Sequence, residues 1–251
     1  MTTRLVAIGD STVEGLEDPG PDGGYIGWAD RFAGHLNVIH PGLLYANLAV
    51  RGQTASEVHQ TQLRPALALA PDFAVVVAGV NDVLRPRFDR DALRDHLFAM
   101  HAVLAATQAR VITFTMPDMV RVAPLAVVLR GRLEFLNSVT RDCGDRYGSI
   151  VVDLAAEPAA SHPALWHTDR LHGNSEGHRR IAAALAEAVG YEVADWREEP
   201  PREPRSSRLR VAAGEVAWAG SHLLPWVWER ARGQSSADGL TCKRPDLLPV
   251  T

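Results

Sequence analysis

RLVAIGDSTVEG, residues 4–15, runs from an apolar stretch, Leu5 to Ile8, straight into a glycine, an acid and a hydroxyl, and a second glycine follows four residues after the hydroxyl. A short apolar run closed by turn residues reads as a strand buried on both faces, the kind found in a parallel sheet covered by helices. Four further runs share that character: Leu43 to Leu48, Phe73 to Ala78, Val111 to Thr115 and Ile150 to Leu154. Stretches of helical period lie between or after them, at Trp28 to Leu36, Ala55 to Leu69, Arg90 to Thr107, Pro124 to Tyr147 and Ser175 to Val189. The alternation predicts an α/β fold with a central, five-stranded parallel sheet and helices on its faces.

Local signals punctuate these elements. Thr54-Ala55-Ser56-Glu57 has the spacing of a capping box, in which the threonine satisfies an orphan amide and the glutamate reaches back. Pro65 is expected to kink the helix that follows. Asp89 and Asn174 stand where caps belong, and Gly190 stands where a left-handed residue ends the last helix.

At 251 residues, 46% hydrophobic and 22% charged, the chain has material for one substantial core. The composition shifts near Trp196, where WREEPPREPRSSRLR, rich in Pro, Arg and Glu, reads as a strap laid over the surface. Residues 196–251 carry nine basic and seven acidic side chains, a charge of +2, against −6 on residues 1–195 and −4 in total. The expected division is therefore a body at 1–195 and a C-terminal extension at 196–251. Trp218, Leu223, Leu224, Trp226 and Trp228 crowd together in the extension and are expected to pack on the body. A mildly acidic chain lacks the basic stripe that phosphate binding calls for, so no nucleic-acid partner is expected. The richest apolar stretch, ALALAPDFAVVVAGV, is broken by Pro71 and Asp72 and falls short of the roughly 20 residues of a spanning helix. With two cysteines, Cys143 and Cys242, and no leader-like start, the chain reads as a reduced, cytoplasmic protein.

In a parallel sheet the carboxyl ends of the strands open on one edge, where loop residues remote in sequence meet. Ser11 follows the first strand, Gly52 the second, Asn81 the third, and Asp169 and His172 come after the fifth. A serine hydroxyl becomes a nucleophile when a neighbouring base removes its proton, and an imidazole base works best with a third group fixing its tautomer. Asp169 and His172, three apart, share one face of a helical turn and supply both partners. Acyl transfer also needs donors aimed at the anionic oxygen of the tetrahedral intermediate, and the Asn81 side chain with the amides of Ser11 and Gly52 can provide them.

Gly9-Asp10-Ser11, the lone Gly52 of NLAVRGQT, Gly79-Val80-Asn81-Asp82 and Asp169-Arg170-Leu171-His172 resemble, in order, the four blocks of the SGNH hydrolases, also called GDSL esterases and lipases. The likeness extends over residues 4–190, with Thr12 where the family often has leucine. It implies a flavodoxin-like three-layer α/β/α fold and a carboxylic ester hydrolase acting on a small-molecule ester without a cofactor. Ser11 would be the nucleophile, His172 the general base and acid, and Asp169 its orienter, with Ser11, Gly52 and Asn81 forming the oxyanion hole. Two alternatives stand beside hydrolysis: acyl transfer to another acceptor from the same acyl-enzyme, and a non-catalytic binding module on the same fold.

Three other patterns read as structure. Gly173-Asn174-Ser175-Glu176-Gly177 fits the G-x-S-x-G nucleophile elbow, but no apolar strand precedes it and only Asp195 and His222 follow as partners, so Ser175 is expected to open the last helix. His167, Asp169, His172 and His178 contain metal-ligand types without a metal-site spacing, and no metal is expected. Asp82 is read as a loop-holding residue.

Overall fold

The computed structural model describes residues 2–21, 23–191, 193, 195–201 and 239–250. Six strands, β1 (Arg4–Gly9), β2 (Leu44–Asn47), β3 (Phe73–Val77), β4 (Arg110–Phe114), β5 (Ile150–Val152) and β6 (Arg244–Pro249), form one sheet in the order β5-β4-β3-β1-β2-β6. The first five are parallel, as their apolar character demands of strands covered on both faces. The expectation of five strands is corrected by β6, which runs antiparallel to β2 with Leu44 opposite Pro249 and Tyr45 opposite Leu248. Two prolines, Pro245 and Pro249, argue against a strand in the sequence, but β6 is an edge, the place in a sheet where proline is tolerated because one side of the strand needs no donor.

Eight α-helices flank the sheet among the described residues: α1 (Ser11–Glu14), α2 (Gly27–Ile39), α3 (Ala55–Thr61), α4 (Leu63–Ala68), α5 (Val80–Leu84), α6 (Arg90–Ala106), α7 (Arg130–Tyr147) and α8 (Ser175–Ala188). Helix α2 packs against α8, while α3, α6 and α7 pack in series. Helix α2 buries Trp28, Ala29, Phe32, Ala33 and Leu36, an apolar stripe at helical spacing. Trp28 meets Phe114 of β4 edge-to-face at 5.2 Å, joining the helix layer to the sheet.

The capping box at Thr54 and Glu57 is formed, and Asp89 and Asn174 cap α6 and α8. The helix expected from Ala55 to Leu69, with a kink from Pro65, is divided into α3 and α4 at Gln62, three residues before the proline. The offset has a direct cause: proline lacks the amide that would bond the carbonyl four residues back, at Thr61, and its ring crowds that carbonyl.

The start of the extension is docked on α8. Trp196 is 5% exposed and donates from its indole to Glu187, and Arg197 bridges Glu187 and Glu157. At the other end, Lys243, the one lysine in the chain, donates to Tyr25 O, Ile26 O and Asp30 Oδ2 at 3.0, 2.7 and 2.5 Å. The aromatic cluster from Trp218 to Trp228 lies outside the described residues. No helix among the described residues is long and apolar enough to cross a membrane.

Candidate active site

The strand order has its reversal at β1, where the chain steps to β2 on one side and then to β3 on the other. Connections diverge at such a point and leave a crevice outside the carboxyl ends of the strands. Gly9 lies opposite Val77 in the β1–β3 ladder, so Ser11, two residues on, and Asn81, four on, leave neighbouring strand ends. Gly9 must be glycine because a Cβ there would stand 2.1 Å from the Val77 carbonyl oxygen.

Ser11 is the first residue of α1, with Asp10 as its N-cap. The Asp10 carboxylate accepts from the Thr12 amide and hydroxyl, both at 3.0 Å, and this holds the strand-to-helix turn. Burial raises the Asp10 carboxyl above its ordinary range, against the bonds from Thr12 and Asn81 that favour its charge.

Ser11 and His172, 161 residues apart in sequence, meet with Oγ 2.8 Å from Nε2. On the far side of the ring, Nδ1 donates to Asp169 Oδ2 at 2.6 Å. Asp169 is itself oriented, because its other oxygen accepts the amides of Leu171 and His172 at 3.0 and 3.1 Å. Burial works against ionisation of Asp169, but the His172 ring and these two amides outweigh it and hold the carboxyl at about 2. An ionised Asp169 accepts only, which fixes the proton on Nδ1 and turns the lone pair of Nε2 toward the serine. Ser11 and His172 are 9% and 8% exposed, so both are largely buried without being sealed from solvent.

The second loop is held from both ends. Glu14, one helical turn from Ser11, accepts the Arg51 amide at 3.0 Å and pairs with the Arg51 guanidinium, which lies over the Tyr25 ring. On the other end, Gln53 O accepts from Asn81 Nδ2 at 3.0 Å. Between them Gly52 takes a φ of +80°, a conformation glycine reaches without strain. Among the described residues, no carbonyl or side chain accepts the amide of Ser11 or of Gly52. Asn81 Nδ2 also donates to Asp10 Oδ2 at 3.2 Å. Asp82 accepts the Ala55 amide at 2.9 Å and so ties the start of α3 to α5.

The four possible metal ligands do not gather into one site. His178 uses both ring nitrogens, accepting the Trp28 amide at 3.1 Å and donating to Leu16 O at 2.9 Å, and burial pushes its imidazole down to about 4. Glu17, His167 and Asp169 do converge within 4.8 Å, but Asp169 already has both oxygens engaged by His172 and the two amides. Ser175 opens α8 behind the Asn174 cap, as a residue of helix structure. Sequence reasoning missed Glu14, Arg51, Gln53 and Gln62; polarity beside the motif blocks could have marked the first three, but Gln62 is ten residues from Gly52 and carries no such signal.

A serine, an imidazole and a carboxylate thus stand in hydrogen-bonded series at the reversal of a mostly parallel sheet flanked by helices. Residues 7–180 match the GDSL-like Lipase/Acylhydrolase family, and the chain belongs to that family. It is 23% identical over 210 residues to an acetylxylan esterase from Geobacillus stearothermophilus, covering 75% of this chain and 94% of that one. Among solved structures it is similar to LAE5, an α/β hydrolase enzyme from the metagenome of Lake Arreo, Spain, at 24% identity and a TM-score of 0.63, covering 76% of this chain and 97% of that one. It is similar also to Axe2, an acetylxylan esterase from Geobacillus stearothermophilus, at 20% identity and a TM-score of 0.64, covering 80% and 97%.

Proposed function

We propose that the protein hydrolyses a carboxylic ester through an acyl-enzyme on Ser11. The observation that carries this reading is the unbroken series from Ser11 Oγ to His172 Nε2 at 2.8 Å and from His172 Nδ1 to Asp169 at 2.6 Å. Ser11 Oγ attacks the carbonyl carbon while His172 Nε2 takes its proton, giving a tetrahedral intermediate and an imidazolium opposite the Asp169 charge. The amides of Ser11 and Gly52 and the Asn81 side chain receive the developing oxyanion, for which Asn81 turns one of its hydrogens from a protein acceptor to the substrate. The intermediate collapses, the bond to the alcohol oxygen breaks, and His172 returns the proton to the departing alcohol. Water, deprotonated by the same nitrogen, then attacks the acyl carbon, and the acid leaves as Ser11 recovers its proton.

The acetylxylan esterases named above suggest the first substrate to try, an acetylated xylo-oligosaccharide, and support a reading as a short-acyl esterase. The test uses 4-nitrophenyl acetate beside that sugar ester. Ser11→Ala is expected to lose at least about a thousandfold in kcat on both while keeping its thermal melt, and a fluorophosphonate is expected to label wild type at Ser11. A folded Ser11→Ala variant turning over at a near wild-type rate removes the assignment.

A further inference from the structure

One residue outside the reaction links the loops that carry the proposed oxyanion donors. Gln62, 3% exposed, stands at the break between α3 and α4. Its side-chain amide lies along the Gly9 peptide: Oε1 accepts the Gly9 amide at 2.8 Å and Nε2 donates to Gly9 O at 2.8 Å. The same Nε2 donates to Gln53 Oε1 at 2.6 Å. Gln53 O in turn accepts from Asn81 Nδ2, and Asn81 Nδ2 donates to Asp10, the residue bonded to Gly9. The connections close a ring through Gly9, Asp10, Asn81, Gln53 and Gln62. Gly9 stands two residues before Ser11, Gln53 one after Gly52, and Asn81 is itself a donor, so the ring passes through all three loops.

Only a primary amide satisfies this position. It presents one acceptor and two donors in a plane, which matches a peptide amide and carbonyl and leaves a hydrogen for Gln53. A carboxylate would face Gly9 O and Gln53 Oε1 with acceptors alone, and an alkyl group would leave the buried Gly9 amide without its partner. The backbone helps to set the side chain: the break that Pro65 imposes gives Gln62 a φ of −107°, away from regular helix, while its own amide and carbonyl still bond Val58 and Ala66 at 2.9 Å.

We propose that Gln62 is a positioning residue of the oxyanion hole, setting the spacing between the Ser11 and Gly52 loops through Gly9 and Gln53. The proposal rests on the reading of Ser11 as nucleophile and concerns how its donors are held. Gln62 touches no reacting atom. Its contribution is to placement, where an error near 1 Å is worth about a hundredfold in rate.

Hydrolysis of 4-nitrophenyl acetate by the full chain tests it. Gln62→Leu is expected to lower kcat about 10- to 100-fold with KM within about threefold, because donors used mainly in the transition state are displaced. Gln53→Ala, at a half-buried position and with its main-chain carbonyl retained, is expected to lower kcat by a smaller factor, about 3- to 10-fold. Gln62→Glu supplies a second readout, taken per folded molecule with the folded fraction followed by circular dichroism at each pH: its kcat relative to wild type should rise as pH falls and the buried carboxyl takes up a proton it can donate. Gln60→Leu, on the exposed side of α3, should match wild type. If Gln62→Leu folds with kcat within twofold of wild type, the proposal is overturned. If that variant does not fold, a wild-type kcat in Gln53→Ala or a pH-independent ratio for Gln62→Glu overturns it equally. Ser11→Ala, run alongside, separates the two ideas, since turnover there defeats the esterase mechanism whatever the Gln62 variants do.

Discussion

Asp82 sits beside the candidate site with a charge that its surroundings oppose. Burial, with the nearby charge of Asp10 adding to it, pushes its carboxyl up to about 6 from an ordinary 3.8, although the Ala55 amide favours ionisation. The folded chain therefore keeps this proton up to about pH 6, whereas the unfolded chain releases it near 3.8, so stability falls as pH rises across that window and the penalty persists above it. Asp82→Asn keeps an acceptor for Ala55 and removes the charge. It should stabilise the protein by about 1–3 kcal/mol at pH 7.5, with the gain vanishing toward pH 4, in urea titrations at the two pH values. Equal stability at both would mean that the carboxyl is not penalised. At this scale the sequence was legible where chemistry is local. Asp169 and His172 are three apart, and their contact follows from the turn that joins them. Gln62 could not be read the same way, because its partners Gly9 and Gln53 lie 53 and 9 residues away and the contact exists only after the sheet and α3 have packed.

Helix α3 shows what an element adds. Its capping box joins Thr54 and Glu57 by bonds of 2.7 Å from the Thr54 amide and hydroxyl to the Glu57 carboxylate, directly after the loop of Gly52 and Gln53. Thr54→Ala should cost about 1 kcal/mol of stability by denaturant titration, the usual worth of such a cap, and lower kcat as the loop before it loosens. An unchanged midpoint would show that the loop is held by Asp82 and Gln62 without the cap. The cap was visible in the sequence because four consecutive residues define it. The parallel strands were visible for a similar reason, each being a short apolar run between turn residues. Strand β6 was not, since RPDLLP takes its strand conformation from the open edge of β2, and no local propensity signals it. Pro65 falls between these cases: the interruption it causes is a local rule, but the inward use of Gln62 at that interruption is tertiary.

Across the whole molecule, a residue near the end of the chain reaches back to the segment that leads into α2. Lys243 clamps Tyr25 and Ile26 at the start of α2, and Tyr25 lies beneath the Arg51 guanidinium that Glu14 holds beside Ser11. Burial raises the Asp30 carboxyl, while the charge of Lys243 works against that rise. Lys243→Met should therefore destabilise the protein by about 1–2 kcal/mol by leaving a partly buried carboxylate without its cation. Adding Asp30→Asn should recover part of that loss, and a double-mutant cycle in urea measures the coupling. Additive losses would show that the pair is screened by solvent. The same side chain gives the chain an unusual proteolytic map. An endoproteinase specific for lysine has a single bond to cut in all 251 residues, and it lies at the root of β6. Susceptibility of that bond in the native protein therefore clocks the peeling of one edge strand from the sheet, with no interference from cleavage elsewhere.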